Sequence, residues 1–293
     1  MGVEAMRIAT ALCGVAFMLA LLPSKALAAC DGAAALLKQA YPSATATEEG
    51  LAIKGDYPQS IRTDDVACKT WPANPALTLV AVPLIEVNDS DADESRGDVE
   101  IIIADTASRA PLARRLEKGM AFSDAVRFEG VKLDTARYDL KEGLRAFGIR
   151  TSQGGSSRVN PYSVEALWLY TFEAGHIERV LDGLVVLDDN GENNGDCEGT
   201  DTRIERTVTL GSIGAKGYRD LVVDQKVTLE TSRNVSGECK STDKPGAGKR
   251  IVIHFGDAGY GAPSKPATGL ASGQRMLFSD IMQDAQSAEP ASP

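Results

Sequence analysis

Apolar positions alternate along most of this chain. Val164, Ala166, Trp168, Tyr170 and Phe172 fall on every second residue, which sets them on one face of a single extended strand. Residues 177–187 read as its hairpin partner across the turn Glu173-Ala174-Gly175-His176. Arg145, Phe147 and Ile149 alternate with small or polar residues, and so do Ile204, Val208 and Leu210, then Leu221, Val223, Val227 and Leu229, then Ile251, Ile253 and Phe255. The runs 79–87 and 99–104 are apolar and β-branched throughout and predict two strands joined by an acidic loop. Val126 and Phe128 share one parity while Val131 and Leu133 share the other, so the phase slips at Gly130 and predicts a bulge or tight turn there.

Such strands recur roughly every 15–25 residues with polar connections, the signature of an antiparallel β-sandwich or a barrel-like domain rather than of βαβ units. One short N-terminal helix is predicted over 31–40, rich in Ala and Leu, with Asp31 placed to cap it and Tyr41-Pro42 to end it. Residues 259–293, rich in Gly, Ala, Ser and Pro, predict a flexible C-terminal tail with one short helix near 274–286.

The start of the chain changes the picture. Arg7 precedes an apolar run, 8–22, of about 15 residues, which suits the core of a signal peptide and is shorter than the ~20 residues a spanning helix needs. Pro23 breaks the run, and Ala26-x-Ala28 fits the small-x-small pattern of a cleavage site. The expected organisation is a signal peptide (1–29), a helix with a disulfide-stapled segment (30–78), a β-rich domain (79–258) and the tail (259–293), with the mature protein in the periplasm or secreted. Leu27-Ala28-Ala29-Cys30 also resembles a lipobox, so lipidation of Cys30 and anchoring as a lipoprotein is the alternative; Lys25, a charge between the apolar run and the box, weakens it. No other segment is long and apolar enough to span a membrane.

Four cysteines follow the signal: Cys30, Cys68, Cys197 and Cys239. An even number in an exported chain predicts two disulfides, and sequence proximity favours Cys30–Cys68 and Cys197–Cys239 among the three pairings. The absence of a Cys-x-x-Cys pair with nearby histidines argues against zinc. The net charge of −10 becomes −11 once Arg7, Lys25 and Glu4 leave with the signal, which repels nucleic acid and anionic lipid.

Three loops hold candidate chemistry. Asp89, Asp91, Asp93 and Glu100 stand at positions one, three, five and twelve of a partial EF-hand pattern and could converge on calcium. Glu94 replaces the usual Gly and Arg96 the usual apolar residue, and the flanks read as strands; a solvated hairpin loop is the plain reading. Residues 188–196 are rich in oxygen donors but match no ion loop, and read as an exposed turn. Residues 151–160 read as a Gly-Gly-Ser loop that could present N–H groups to an anion or a sugar, but lack a phosphate-loop ending. Only two histidines, His176 and His254, are present, with no nucleophile elbow.

Ala67-Cys68-Lys69-Thr70-Trp71-Pro72, Leu133-Asp134-Thr135-Ala136-Arg137-Tyr138 and Ser157-Arg158-Val159-Asn160-Pro161-Tyr162 resemble stretches of exported proteins of unknown function from Gram-negative proteobacteria. The resemblance implies export and carries no activity. The leading expectation is a non-enzymatic exported protein that binds an envelope partner or a ligand. A cell-envelope hydrolase using carboxylates and a calcium-dependent binding module are the alternatives.

Overall fold

The computed structural model describes residues 32–87, 95–123, 126–261 and 276–278. Among the described residues one α-helix, α1 (Ala33–Ala40), precedes seventeen strands, with a single 3-10 turn at Thr63–Asp65. A first sheet holds β1 (Thr45–Ala46), β2 (Gly50–Ile53), β3 (Gln59–Arg62), β4 (Ala67–Thr70), β5 (Leu77–Glu86), β6 (Gly97–Asp105) and β7 (Pro111–Glu117). It runs in the order β1-β2-β3-β5-β6-β7, with β4 also on β5. The second sheet holds β8 (Val126–Lys141), β9 (Leu144–Gly155), β10 (Tyr162–Glu173), β11 (His176–Asn193), β12 (Gly199–Ile213), β13 (Arg219–Val235) and β14 (Glu238–Pro245) as one meander. Onto it pair β15 (Lys249–Ile253), β16 (Phe255–Gly256) and β17 (Gly259–Tyr260). The protein is mainly β, antiparallel and sandwich-like.

Three cores follow from side-chain alternation. Leu77, Leu79 and Ala81 of β5 and Val99, Ile101 and Ile103 of β6 pack on Phe147, Ile149, Val164, Ala166, Trp168 and Tyr170, forming the layer between the sheets. The opposite parity of the same strands (Val80, Val82, Leu84, Ile102, Ala104) packs under Leu36, Leu37 and Ala40 of α1. Burial on both faces is why β5 and β6 read as unbroken apolar runs. The second sheet curls. Tyr138 and Leu140 from its β8 edge share a core with Leu167, Leu169, Leu184, Val223, Ile251 and Ile253. Curvature of this kind needs local irregularities, and bulges interrupt the β10–β11 pairing while a register shift at Gly130 interrupts β8–β9.

A buried charge cluster ties the sheets together. Glu117 at the end of β7 accepts hydrogen bonds from Arg115 Nε and from Arg179 Nη1 of β11, the latter at 2.9 Å. Arg115 also donates to the Ile177 carbonyl, and Arg179 lies over the Trp168 ring, 5.7 Å from its centroid. Burial, with the Glu117 charge beside it, holds the Tyr170 phenol well above its usual range.

Beyond its core the second sheet continues as a polar extension. Residues 187–193 of β11 pair with 199–205 of β12, then with the outer half of β13, then with β14, every residue of which is exposed. Cys197 and Cys239 form a disulfide across this end. Asn194 Oδ1 accepts from the N–H groups of Asp196, Cys197 and Glu198 at 3.0–3.1 Å, which fixes the turn before it.

Several expectations need correction. The segment 30–78 is no separate unit: β1 to β4 lie in it and belong to the first sheet, and strands of two to four residues are too short to show alternation. The N-cap of α1 is Gly32 with a left-handed φ of 113°, without a side-chain cap; Asp31 lies outside the described residues. Residues 151–155 are strand, not loop, with Thr151 and Gln153 buried. Residues 188–193 are strand as well, and Asp188 is fully buried. The region after 258 is partly built in: β17 pairs with β11, and Met276 and Phe278 are buried.

Candidate functional site

Clefts lined by described residues include one beside α1 and one beside the Cys197–Cys239 disulfide. The first lies between α1 and the β1–β2 hairpin. Tyr41 ends the helix, its N–H bonded to the Leu37 carbonyl at 2.8 Å, and Pro42 turns the chain back. The hairpin closes over the helix because Thr47 accepts the Gly50 N–H on its hydroxyl at 3.1 Å while its own N–H reaches the Gly50 carbonyl. Gly50 is required here, since a Cβ would come within 2.1 Å of the Ile61 carbonyl oxygen.

The space between them is a cleft of about 380 Å³ lined by Ala34, Leu37, Tyr41, Pro42, Ala46 and Leu51, with Lys38, Thr47, Glu48 and Thr63 among its polar groups. Small-molecule sites typically run from about 300 to 1,000 Å³ and combine an apolar lining with a few polar groups. Tyr41 is held rigidly. Its hydroxyl donates to Glu100 Oε2, and its ring lies under Arg114, 4.8 Å from guanidinium to centroid. Arg114 in turn grips Glu100 with Nε at 2.8 Å and Nη2 at 2.7 Å, and donates from Nη1 to the Ala40 carbonyl at 2.6 Å. Burial and the negative Glu100 raise the Tyr41 phenol far above its usual range, so it stays a donor at any physiological pH. Lys38 is exposed and makes no ion pair among the described residues.

This geometry decides the role of Glu100. Both its oxygens are committed to Arg114 and Tyr41 on the helix-covered face of the first sheet, so it serves as a structural anchor and has no oxygen turned to an ion. Asp89, Asp91 and Asp93 lie outside the described residues. Cys68 is disulfide-bonded. With Cys197 and Cys239 joined to each other, its partner is a cysteine outside the described residues, where Cys30 lies.

The second cleft, about 350 Å³, sits beside the Cys197–Cys239 disulfide and is lined by Arg158, Asn193, Asp196, Asp201 and Ser232 with Gly195 and Gly199. Asp201 is paired across the strands with Glu230, which in turn faces Asp243. Partial burial, then the negative charges of Glu230 and Asp189, raise the Asp201 carboxyl above its ordinary value. Other carboxylates of the fold are matched to guanidinium groups: Asp134 and Glu165 to Arg150, Asp139 to Arg145, Asp189 to Arg203, and Asp224 to Arg250. A glycoside-cleaving pair needs one carboxyl that holds its proton beside another that does not. Asp201 is shifted in the direction of the first, and Asp196 is the other carboxylate of the described lining.

The sign of the Asp201 effect gives a prediction. Its folded-state affinity for a proton exceeds that of the unfolded chain, so repulsion is absent at low pH and sets in as pH rises through its raised pKa. Asp201→Asn should therefore raise the thermal midpoint at pH 7, by the equivalent of about 0.5 kcal/mol, and leave it unchanged at acidic pH. Melting curves of both proteins across pH 3–7 check this; equal midpoints at pH 7 would refute the repulsion.

The exposed His254 sets Nδ1 2.8 Å from Oδ1 of the buried Asp220, and His176 closes the β10–β11 hairpin. Among the described residues no group of three or more His, Cys, Asp or Glu side chains is arranged to hold a metal, and no helix is long and apolar enough to cross a membrane. No family model matches the chain, and no curated protein or solved structure is detectably similar to it.

No local pattern along the chain pointed to the helix–hairpin cleft. Its lining mixes Leu37, Tyr41 and Leu51 with Ala, Thr, Pro and Gly residues that read individually as helix or turn formers, and only the approach of β1–β2 to α1 makes them a site.

Proposed function

We propose that this chain is an exported binding protein whose ligand seats between α1 and the β1–β2 hairpin. The observation that carries this reading is the apolar cleft itself: Leu37, Tyr41, Pro42 and Leu51 form its body, and the exposed ammonium of Lys38 stands at its rim. That combination suits a small amphiphile with an aliphatic or aromatic body and an anionic head. The rigid anchoring of Tyr41 by Glu100 and Arg114 supports it, because a preformed wall lowers the ordering cost of binding. A signal-like N-terminus and disulfides are what a protein working outside the cytoplasm would carry.

A fluorescent carboxylate probe, 11-(dansylamino)undecanoate, tests the reading. Saturable binding is expected. Ala34→Trp, an exposed helix position facing the cleft, should fill it and weaken binding by about tenfold or more, roughly 1.4 kcal/mol. Lys38→Ala should weaken the carboxylate probe about fivefold, roughly 1 kcal/mol, and leave the matching alcohol unaffected. Binding that ignores Ala34→Trp would refute this site.

A further inference from the structure

β11 is paired with β12 only through residues 187–193; below that the two strands part. The edge of β11 that β12 leaves unpaired is met by two later pieces of the chain. Tyr260 of β17 pairs parallel with Leu181, and Leu277 pairs antiparallel with Leu184, with the Val185 N–H donating to the Met276 carbonyl at 2.9 Å. Met276 enters the core inside the curled sheet, while Phe278 enters the core between the sheets and meets Trp168 edge-on at 5.9 Å. Gly183, with a left-handed φ of 61°, makes the room: a Cβ there would lie 2.8 Å from the Trp168 ring and 3.0 Å from Phe278.

We propose that the edge of β11 from Leu181 to Val185 is a strand-acceptor groove that takes Met276–Phe278 of a second copy of this chain in exchange for its own, giving a two-fold dimer. The occupant is identified by the segment that already sits there. Met276 and Phe278 fill two separate cores, and between them Leu277 makes a β-bridge to Leu184, so the segment is held on the β11 edge by backbone and side chains together. The connection permits it. Leu181 and Leu184 are three residues apart on β11, about 10 Å. Residues 262–275 could span about 48 Å if fully extended. The chain joining the two anchors is thus several times longer than the distance between them, and an identical groove on a neighbouring copy lies within its reach. Swapped and unswapped forms make the same contacts, so the balance is set by the effective concentration of the tethered segment, on the order of millimolar.

Two full-length variants test this, Leu184→Cys and Leu277→Cys, unfolded together and refolded as a mixture under mild oxidation. A covalent heterodimer forms when residue 277 of one copy lies against residue 184 of the other. The expected yield is substantial at about 1 mM protomer and at least tenfold lower at about 10 µM. Adding Phe278→Asp to the Leu277→Cys chain should abolish it. Absence of heterodimer at the higher concentration overturns the proposal, and so does a cross-link that survives Phe278→Asp. If the cysteine variants do not refold, light scattering of the wild-type chain refolded at about 1 mM replaces them: a doubled mass supports exchange, and a monomer at every concentration overturns it.

Discussion

Glu117→Gln should destabilise the protein by about 3 kcal/mol, toward the lower end of the range for breaking one partner of a buried ion pair. The Glu117 side chain is 7% exposed and accepts hydrogen bonds from both Arg115 and Arg179, the latter also lying 3.5 Å from Asp182 Oδ1. A neutral amide accepts one of these hydrogen bonds and offers N–H groups to the other guanidinium. The two arginine side chains are each about a third exposed (32% and 31%), so water recovers part of the loss, and the upper end of the range is not reached. Because the cluster joins β7 of one sheet to β11 of the other, the loss should loosen the sandwich as a whole. The expected readout is a lower urea midpoint with an unchanged slope. Arg115→Met in the same background should restore part of the stability by removing one stranded charge. A shift under about 1 kcal/mol would mean that the cluster is hydrated like a surface pair.

The Cys197–Cys239 disulfide should contribute about 4 kcal/mol, from the 42-residue separation it closes in the chain-entropy model. Its loss will be felt unevenly. The outer halves of β12 and β13 and all of β14 form a sheet that is polar on both faces, and no β14 residue is buried. With no core beneath it, this extension depends on its ladder and on the crosslink. In a Cys197→Ser, Cys239→Ser variant, amide exchange in β14 and the facing half of β13 should accelerate by about a thousandfold, the equivalent of ~4 kcal/mol. Amides of Leu167 and Leu169, in the centre of the second sheet, should keep their protection. Hydrogen exchange read residue by residue separates the two regions; uniform acceleration would show that the extension and the cores unfold as one.

How much of this was legible in the sequence depended on burial. The stripe from Val164 to Phe172, the turn at Glu173–His176, the slip at Gly130 and the pairing of Cys197 with Cys239 all stand in the structure as their spacing implied. Each lies where one face meets a core, or where a left-handed glycine or a cysteine leaves a local mark. Residues 151–155 and 188–193 were missed because their Gly, Ser, Asn and Asp residues carry turn chemistry. Gly154 belongs in a strand because Glu129 lies across it: a Cβ there would come within 2.3 Å of that carboxylate. Residues 188–193 form a strand because the partner β12 supplies seven consecutive register positions against 187–193. The docking of residues 276–278 escaped notice for a different reason. Met276 and Phe278 are isolated apolar residues amid small ones, and no local pattern says that two cores wait for them. The helix–hairpin cleft was invisible for the same kind of reason, being made by an approach of distant segments.

The meander also sets an order of assembly. From β8 to β14 each strand's neighbours in the sheet are its neighbours in the chain, so hairpins can add one after another as the polypeptide is delivered from its N-terminus. Met276–Phe278 breaks that sequence, because it returns to β11 after every other described element has been made. Until then Trp168 lacks the ring that packs on its edge, and both the inter-sheet layer and the interior of the curl stand open. A molecule in which this segment has not docked therefore lacks Met276 and Phe278 in their two cores, and the same places are open to the segment of a neighbour.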